Sequence, residues 1–281
     1  MTAAAERVVG LIALALAASC ELPSPAVICH NANCAGEVDP SRDDTLPALA
    51  ESLALTYRGR PAIDGVELDL FWRGSDDACI FSHDLDQADP APAMDAAAAL
   101  AAYLAQPGPI TASERPFEVL LELKPHVDAA EVVAHTPAQR TAHAACAWQV
   151  YDAIAAAALA SGHEAVVTMS SYAPALLAEV LAQAPGTPPI PARLGALQGV
   201  PAPLDGQTSS LDAYAGLPIA VVEVHPHWLL DGQAEAIASL GADLSLWMFS
   251  ATAETFALIR QHQPVTVVTS EALLMRRWLA R

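Results

Sequence analysis

Eight short apolar runs, each followed by a stretch that reads as a helix, constrain this chain more than any other feature. The runs fall at 25–30, 65–72, 117–124, 165–170, 192–197, 218–225, 243–249 and 265–269. They have the length and bounding residues of buried strands. Ala- and Leu-rich stretches at 46–57, 94–105, 138–160, 173–184, 232–240, 253–263 and 271–280 have helical composition. A weaker candidate near 209–214 follows a Pro- and Gly-rich segment, 185–203. Strand–helix alternation repeated this often predicts a parallel sheet covered by helices. With 281 residues, one closed (β/α)8 TIM barrel of roughly 250 residues fits better than two small domains. A further short strand at 78–83, after the turn 73–77, predicts a hairpin excursion following strand two.

The N-terminus reads as an export signal, not as fold. Arg7 precedes an apolar run over 8–18, too short for the roughly 20 residues that span a bilayer. It ends in Leu16-Ala17-Ala18-Ser19-Cys20, which resembles a bacterial lipoprotein cleavage site with Cys20 as the lipidated residue. Residues 1–20 are therefore expected to be the signal, 21–25 a Pro-rich linker and 26–281 the barrel. The protein is expected to be exported, and either lipid-anchored to the cell envelope or secreted. Cys29, Cys34, Cys79 and Cys146 then permit two disulfides in three pairings. Cys29 with Cys34 is the most local choice. Cys79 and Cys146 read equally well as small buried side chains.

A formal net charge of −19 argues against nucleic acid or an anionic membrane surface as an electrostatic partner. An anionic substrate would need a local positive centre, which a bound cation could supply.

The polar residues on the strands carry the chemistry. In Val66-Glu67-Leu68-Asp69-Leu70 a period of two puts both carboxylates on one face and the apolar residues on the other. In a barrel the apolar face lies under the helices, so the acids point inward near the C-terminal mouth. Strand three repeats the pattern with Glu122 and Lys124, the chain's single lysine. Three converging carboxylates repel unless neutralised, and their oxygens suit Mg2+ or Ca2+. Lys124 could meet a phosphate oxygen as a point charge. His30 ends strand one and His83 ends the excursion, a pair suited to general acid and base work on a phosphodiester. His225, at the end of strand six, and Trp247, on strand seven, could line the mouth.

This order of motifs resembles the glycerophosphodiester phosphodiesterases and their phospholipase C-like barrel relatives. The family pattern is a His ending strand one, Glu-x-Asp on strand two, a His-Asp pair, then Glu-x-Lys on strand three. Here these are His30, then Glu67 and Asp69, then His83 and Asp84, then Glu122 and Lys124. Trp247 and 265–270 agree more loosely. The resemblance implies His30 and His83 as the acid/base pair and Glu67, Asp69 and Glu122 around a divalent cation, Mg2+ or Ca2+. Asn31, Lys124, His225 and Trp247 become the substrate or phosphate contacts, for a small phosphodiester or phospholipid headgroup. The chain departs from the pattern after His30, where the family's Arg-Gly is replaced by Asn31-Ala32, leaving Arg42 as a possible substitute. The family's acid-Asn-Thr segment is here Asp43-Asp44-Thr45. These departures keep two alternatives open: a non-catalytic phosphodiester-binding lipoprotein, and a sphingomyelinase D-like or phosphatidylinositol phospholipase C-like lyase.

Overall fold

The computed structural model describes residues 24–35, 39–84, 87, 90–125, 135–198, 210–226, 229, 234–248 and 250–281. The expected signal at 1–20, Cys20 and most of the 21–25 linker lie outside the described residues. Eight parallel strands pair in sequence order and close on themselves: β1 (Ala26–Cys29), β2 (Gly65–Arg73), β3 (Phe117–Lys124), β4 (Ala165–Ser171), β5 (Ala192–Gln198), β6 (Ile219–Val224), β7 (Asp243–Met248) and β8 (Thr266–Thr269). Closure runs through β1, which pairs with β8 at Ala26↔Thr266 and with β2 at Ile28↔Gly65. The expected (β/α)8 barrel is the architecture observed.

Helices α1 (Leu46–Leu53), α2 (Ala93–Leu104), α3 (Pro137–Ser161), α4 (Pro174–Ala182), α5 (Ala234–Ser239), α6 (Ala253–His262) and α7 (Ala272–Leu279) follow the strands. The fifth unit, the weakest in the sequence, has a 3-10 turn at Leu211–Tyr214 among its described residues. Local chemistry sets the helix ends. Thr45 caps α1, and a Thr136–Gln139 capping box with the left-handed Gly162 bounds α3. The helix expected over 46–57 stops at Leu53. Residues Thr56–Tyr57 and Arg60–Pro61 instead form a small hairpin, whose central Arg58 and Gly59 both have positive φ (53° and 79°), as a type I′ turn requires.

Most of the apolar core lies between strands and helices. A smaller cluster of Ala26, Ile28, Leu120 and Val268 fills the barrel interior. The excursion forms as Ala78–Phe81, antiparallel to the end of β2, and pairs onward with Ala91–Pro92. Two disulfides bracket the elements that carry the paired histidines. Cys29–Cys34 encloses the turn that begins at His30, and Cys79–Cys146 ties the excursion to α3. Among the described residues no helix is long and apolar enough to cross a membrane.

Candidate active site

The carboxylates expected at the mouth arrive there through strand register. Asp69 pairs with Glu122 across β2 and β3, so both acids leave the sheet at one level and on one face. Glu67, Asp69 and Glu122 are buried, and ligand oxygens from all three lie within 4.8 Å of one another. Lys124 stands between two of them, its Nζ 2.8 Å from Asp69 Oδ2 and 2.7 Å from Glu122 Oε1.

His30 begins a 3-10 turn where β1 was expected to continue. Its Nδ1 meets Ser270 Oγ at 3.1 Å and its Nε2 faces Glu67 Oε2 at 3.8 Å. His83 approaches from the excursion, with Nδ1 2.9 Å from Asp69 Oδ2. Gln87 steadies it by accepting the His83 backbone N–H at 2.9 Å and donating to Asp43 O at 2.9 Å. Asn31 adopts a left-handed backbone (φ 47°). This turns its N–H toward Glu67 Oε2 at 3.2 Å and sets its amide 3.2 Å from Asp43 Oδ2 and 3.1 Å from His83 Nδ1. Trp247 lies over the mouth, its ring 6.4 Å from His30 and nearly parallel to it, with His225 edge-on at 4.9 Å. Its Nε1 donates to Gln198 O at 3.1 Å. These side chains enclose a cavity of about 160 Å³ lined by His30, Asn31, Glu67, His83, Glu122, Lys124 and Trp247, with Tyr172 and Leu197. His225 is not among the side chains that line this cavity and meets Trp247 edge-on. Arg42 does not enter it: its guanidinium turns outward to Glu51 at 2.7 Å.

Asp44, named in the sequence only as part of a departure from the family pattern, belongs to the network. It lies in the loop before α1, is buried and accepts the Asp69 backbone N–H at 3.0 Å, while its Oδ2 has no hydrogen-bond partner among the described residues. Asp69 Oδ1 is likewise unpartnered.

The electrostatics reflect too many acids around one lysine. Burial raises Glu67 well above the usual carboxylate range, and repulsion from Asp69 adds to it. Burial raises Asp44 in the same way, again with Asp69 adding. Glu122 is raised by burial, with Lys124 offsetting part of the shift. Burial pushes Asp69 up too, but Lys124 and His83 together outweigh it and hold the carboxyl low. Lys124 resists the downward pull of burial because Asp69 and Glu122 raise it well above its ordinary value. Burial drives His30 down to about 4. For His83 burial also acts downward, yet the bond to Asp69 prevails and the net shift is up.

The donor set suits a divalent cation. Glu67, Asp69 and Glu122 offer oxygen only, the preference of Mg2+ and Ca2+, and an unpartnered buried oxygen on Asp69 is left for it.

No known family pattern matches the chain, and no curated protein is detectably similar in sequence. Solved structures are similar in fold. A glycerophosphodiester phosphodiesterase from Parabacteroides distasonis covers 92% of this chain and 97% of its own, with a TM-score of 0.61 at 12% identity. The chain shares the glycerophosphodiester phosphodiesterase fold. A phosphodiesterase from Oleispira antarctica, solved with the product sn-glycerol-3-phosphate, covers 92% and 98% with a TM-score of 0.58 at 14% identity. The glycerophosphodiester phosphodiesterase of Thermotoga maritima covers 91% and 99% with a TM-score of 0.54 at 15% identity.

Proposed function

We propose that this protein is a metal-dependent phosphoric diester hydrolase acting on glycerophosphodiesters or phospholipid headgroups outside the cytoplasm. The observation that carries the reading is the convergence of two histidines from separate elements on one three-carboxylate cluster inside a single small cavity. The fold shared with known phosphodiesterases supports it. A cavity of about 160 Å³ is of a size to take a phosphate and a small headgroup.

The partners of the two histidines divide their work. His30 rests on a neutral hydroxyl in a buried setting, so its imidazole is placed to take the proton from the attacking water or substrate hydroxyl. His83 is bonded to the Asp69 carboxylate, which favours the imidazolium and suits it to protonate the departing alkoxide. Attack forms the new P–O bond on one side of phosphorus as the ester bond breaks on the other. A cation held by Glu67, Asp69 and Glu122 would supply positive charge to the phosphoryl oxygens. Lys124 is placed to add a second positive contact, and Asn31 stands where a phosphate oxygen could take its amide. Trp247 would close the cavity against water. The two disulfides support the extracytoplasmic setting, since such bonds persist in oxidising compartments. With the signal-like segment at 1–20, they support export by a secreted or lipid-anchored route through Cys20.

Phosphorus NMR tests the reading. The protein is mixed with glycerophosphocholine, glycerophosphoinositol, lysophosphatidylcholine and sphingomyelin, with Mg2+ or Ca2+ and then with chelator. New phosphomonoester or cyclic-phosphate signals that vanish with chelator are expected. Ion binding without any new signal would instead favour a phosphodiester-binding protein, the reading that Asn31 in the place of an arginine motivates.

A further inference from the structure

Strand β6 carries a buried acid that the site described above does not use. Glu223 sits between Val222 and Val224, is fully buried, and neither of its carboxylate oxygens has a hydrogen-bond partner among the described residues. Such groups are rare, because the solvation lost on burial is not returned. Glu118, also inside the barrel, has both an ion pair to Arg193 and a hydrogen bond from Thr168 at 3.3 Å.

Geometry shows where Glu223 points. Gly195 on the neighbouring β5 has no side chain. A Cβ there would come 3.5 Å from Glu223 Oε1 and 2.9 Å from Ser170 Cβ on β4. Glu223 therefore leans across the gap at Gly195 toward the Ser170 hydroxyl, the polar neighbour that most offsets its burial. Ser170 in turn pairs in register with Glu122. The gap is flanked by Ser170, Thr168 and Glu223, and Ser170 links it through the sheet to the strand that carries Glu122. The field of the cluster agrees. After Asp69, Glu223 is the charge that Glu67 feels most, ahead of Glu122. Glu122 is the leading charge felt by Glu223 itself, with Glu118 and the opposing Arg193 acting less.

We infer that Glu223 is a fourth acid of the cation centre, and that it sets how tightly a divalent ion is held there. The inference rests on the reading of Glu67, Asp69 and Glu122 as the groups that hold the ion. Glu223 needs no direct bond to the ion for this. A carboxylate one layer away still adds negative potential in a medium that screens poorly.

The test is calorimetric titration of the full chain with Mg2+, Ca2+ and Mn2+ alone, for wild type, Glu223→Gln and Glu118→Gln, with thermal melts of each with and without ion. Glutamine keeps the shape and removes the charge. Glu223→Gln is expected to bind the ion at least about tenfold more weakly, to melt no lower than wild type without ion, and to gain less on ion addition. Glu118→Gln is expected to melt lower without ion and to keep its ion affinity within about twofold of wild type, since Glu118 holds Arg193 rather than facing the cluster. Unchanged affinity in Glu223→Gln, or equal weakening in Glu118→Gln, overturns the inference. If Glu223→Gln does not fold, Glu223→Met, which also removes the charge, is titrated in its place, and ion affinity equal to wild type there overturns it as well. A wild type that binds the ion but cleaves no diester removes the proposed function and leaves this inference standing. A wild type that binds no divalent ion removes both.

Discussion

The barrel buries acids at both ends and treats them differently. At the N-terminal floor, Asp64 accepts the Val27 N–H at 2.9 Å and both the N–H and Oγ of Ser113, at 3.0 and 2.7 Å, and pairs with Arg276 from α7. Glu118 has Arg193 beside it. Each floor acid meets a guanidinium of its own. At the C-terminal mouth, Asp44, Glu67, Asp69 and Glu122 gather around Lys124 alone among the described lysine and arginine side chains, and one oxygen each of Asp44 and Asp69 has no hydrogen bond among the described residues. Compensated acids are structural elements that close the barrel. An uncompensated cluster is a site organised for something the polypeptide does not itself provide.

The strongest test of that contrast is a pair of isosteric substitutions. Glu67→Gln is expected to weaken divalent-ion binding by more than about 100-fold and to remove turnover, with ion-free stability unchanged or raised because burial and repulsion from Asp69 already disfavour its charge. Asp64→Asn is expected to leave ion affinity alone and to cost about 3–5 kcal/mol of stability, the usual consequence of stranding one member of a buried ion pair. Isothermal titration and scanning calorimetry on both proteins read the two quantities. Equal loss of stability in the two variants would dissolve the distinction between floor and mouth.

Next in size are the histidines. His30→Ala and His83→Ala are each expected to lower turnover about 10²–10⁴-fold while ion affinity changes little. Single-turnover measurements at saturating ion would show it. Full activity in either variant removes that histidine from the mechanism.

How much of this was legible in the sequence follows from the same contrast. Glu67, Asp69, Glu122 and Lys124 could be read because an inward charge on an apolar strand breaks the expected pattern at a period of two. The same signal marks Glu223 in Val221-Val222-Glu223-Val224, a single inward acid with no second acid at a period of two. His225 lies at the strand's end, edge-on to Trp247, and His227 lies outside the described residues. Asp44 stood out in the sequence only as a departure from the family's segment, and its place beside Asp69 was not legible. It sits in a loop with a left-handed backbone (φ 51°) and reaches Asp69 only through tertiary contact. The Cys79–Cys146 bond was also hidden, since 67 residues separate its ends and only the packing of the excursion on α3 brings them together. The helix expected over 46–57 overruns the observed one because helical composition carries through Ala54 and Leu55, while the turn at Arg58-Gly59 that ends the run is a backbone decision.

The smallest effects sharpen the comparison by their sign. Burial raises Glu223 to about 8, so between its unfolded value near 4.5 and that pH the folded state holds a proton that the unfolded state has lost. Ion-free stability from this group is therefore present at low pH and is lost as pH rises toward 8. His143, on α3, behaves in the opposite way. Burial, with a lesser contribution from His135, lowers it to about 3, so below about 6.5 the unfolded state takes up a proton that the folded state refuses. Stability is lost as pH falls. Each group contributes a slope of at most about 1.4 kcal/mol per pH unit inside its window. Glu223→Gln should therefore raise the ion-free melting temperature at pH 8.5 relative to its effect at pH 5, because it removes an acid that must be buried charged at the higher pH. His143→Leu should do the reverse, with its relative gain at pH 5. Adding the divalent ion should cancel the first difference, since the ion compensates the mouth, and leave the second untouched, since His143 lies in the packing outside the barrel. Melts of the two variants at both pH values, with and without ion, give eight numbers in which only the mouth variant responds to the metal. A His143→Leu profile that also shifts with ion would mean that the outer packing and the mouth are coupled, and that the acids at the open end are not a separate electrostatic unit.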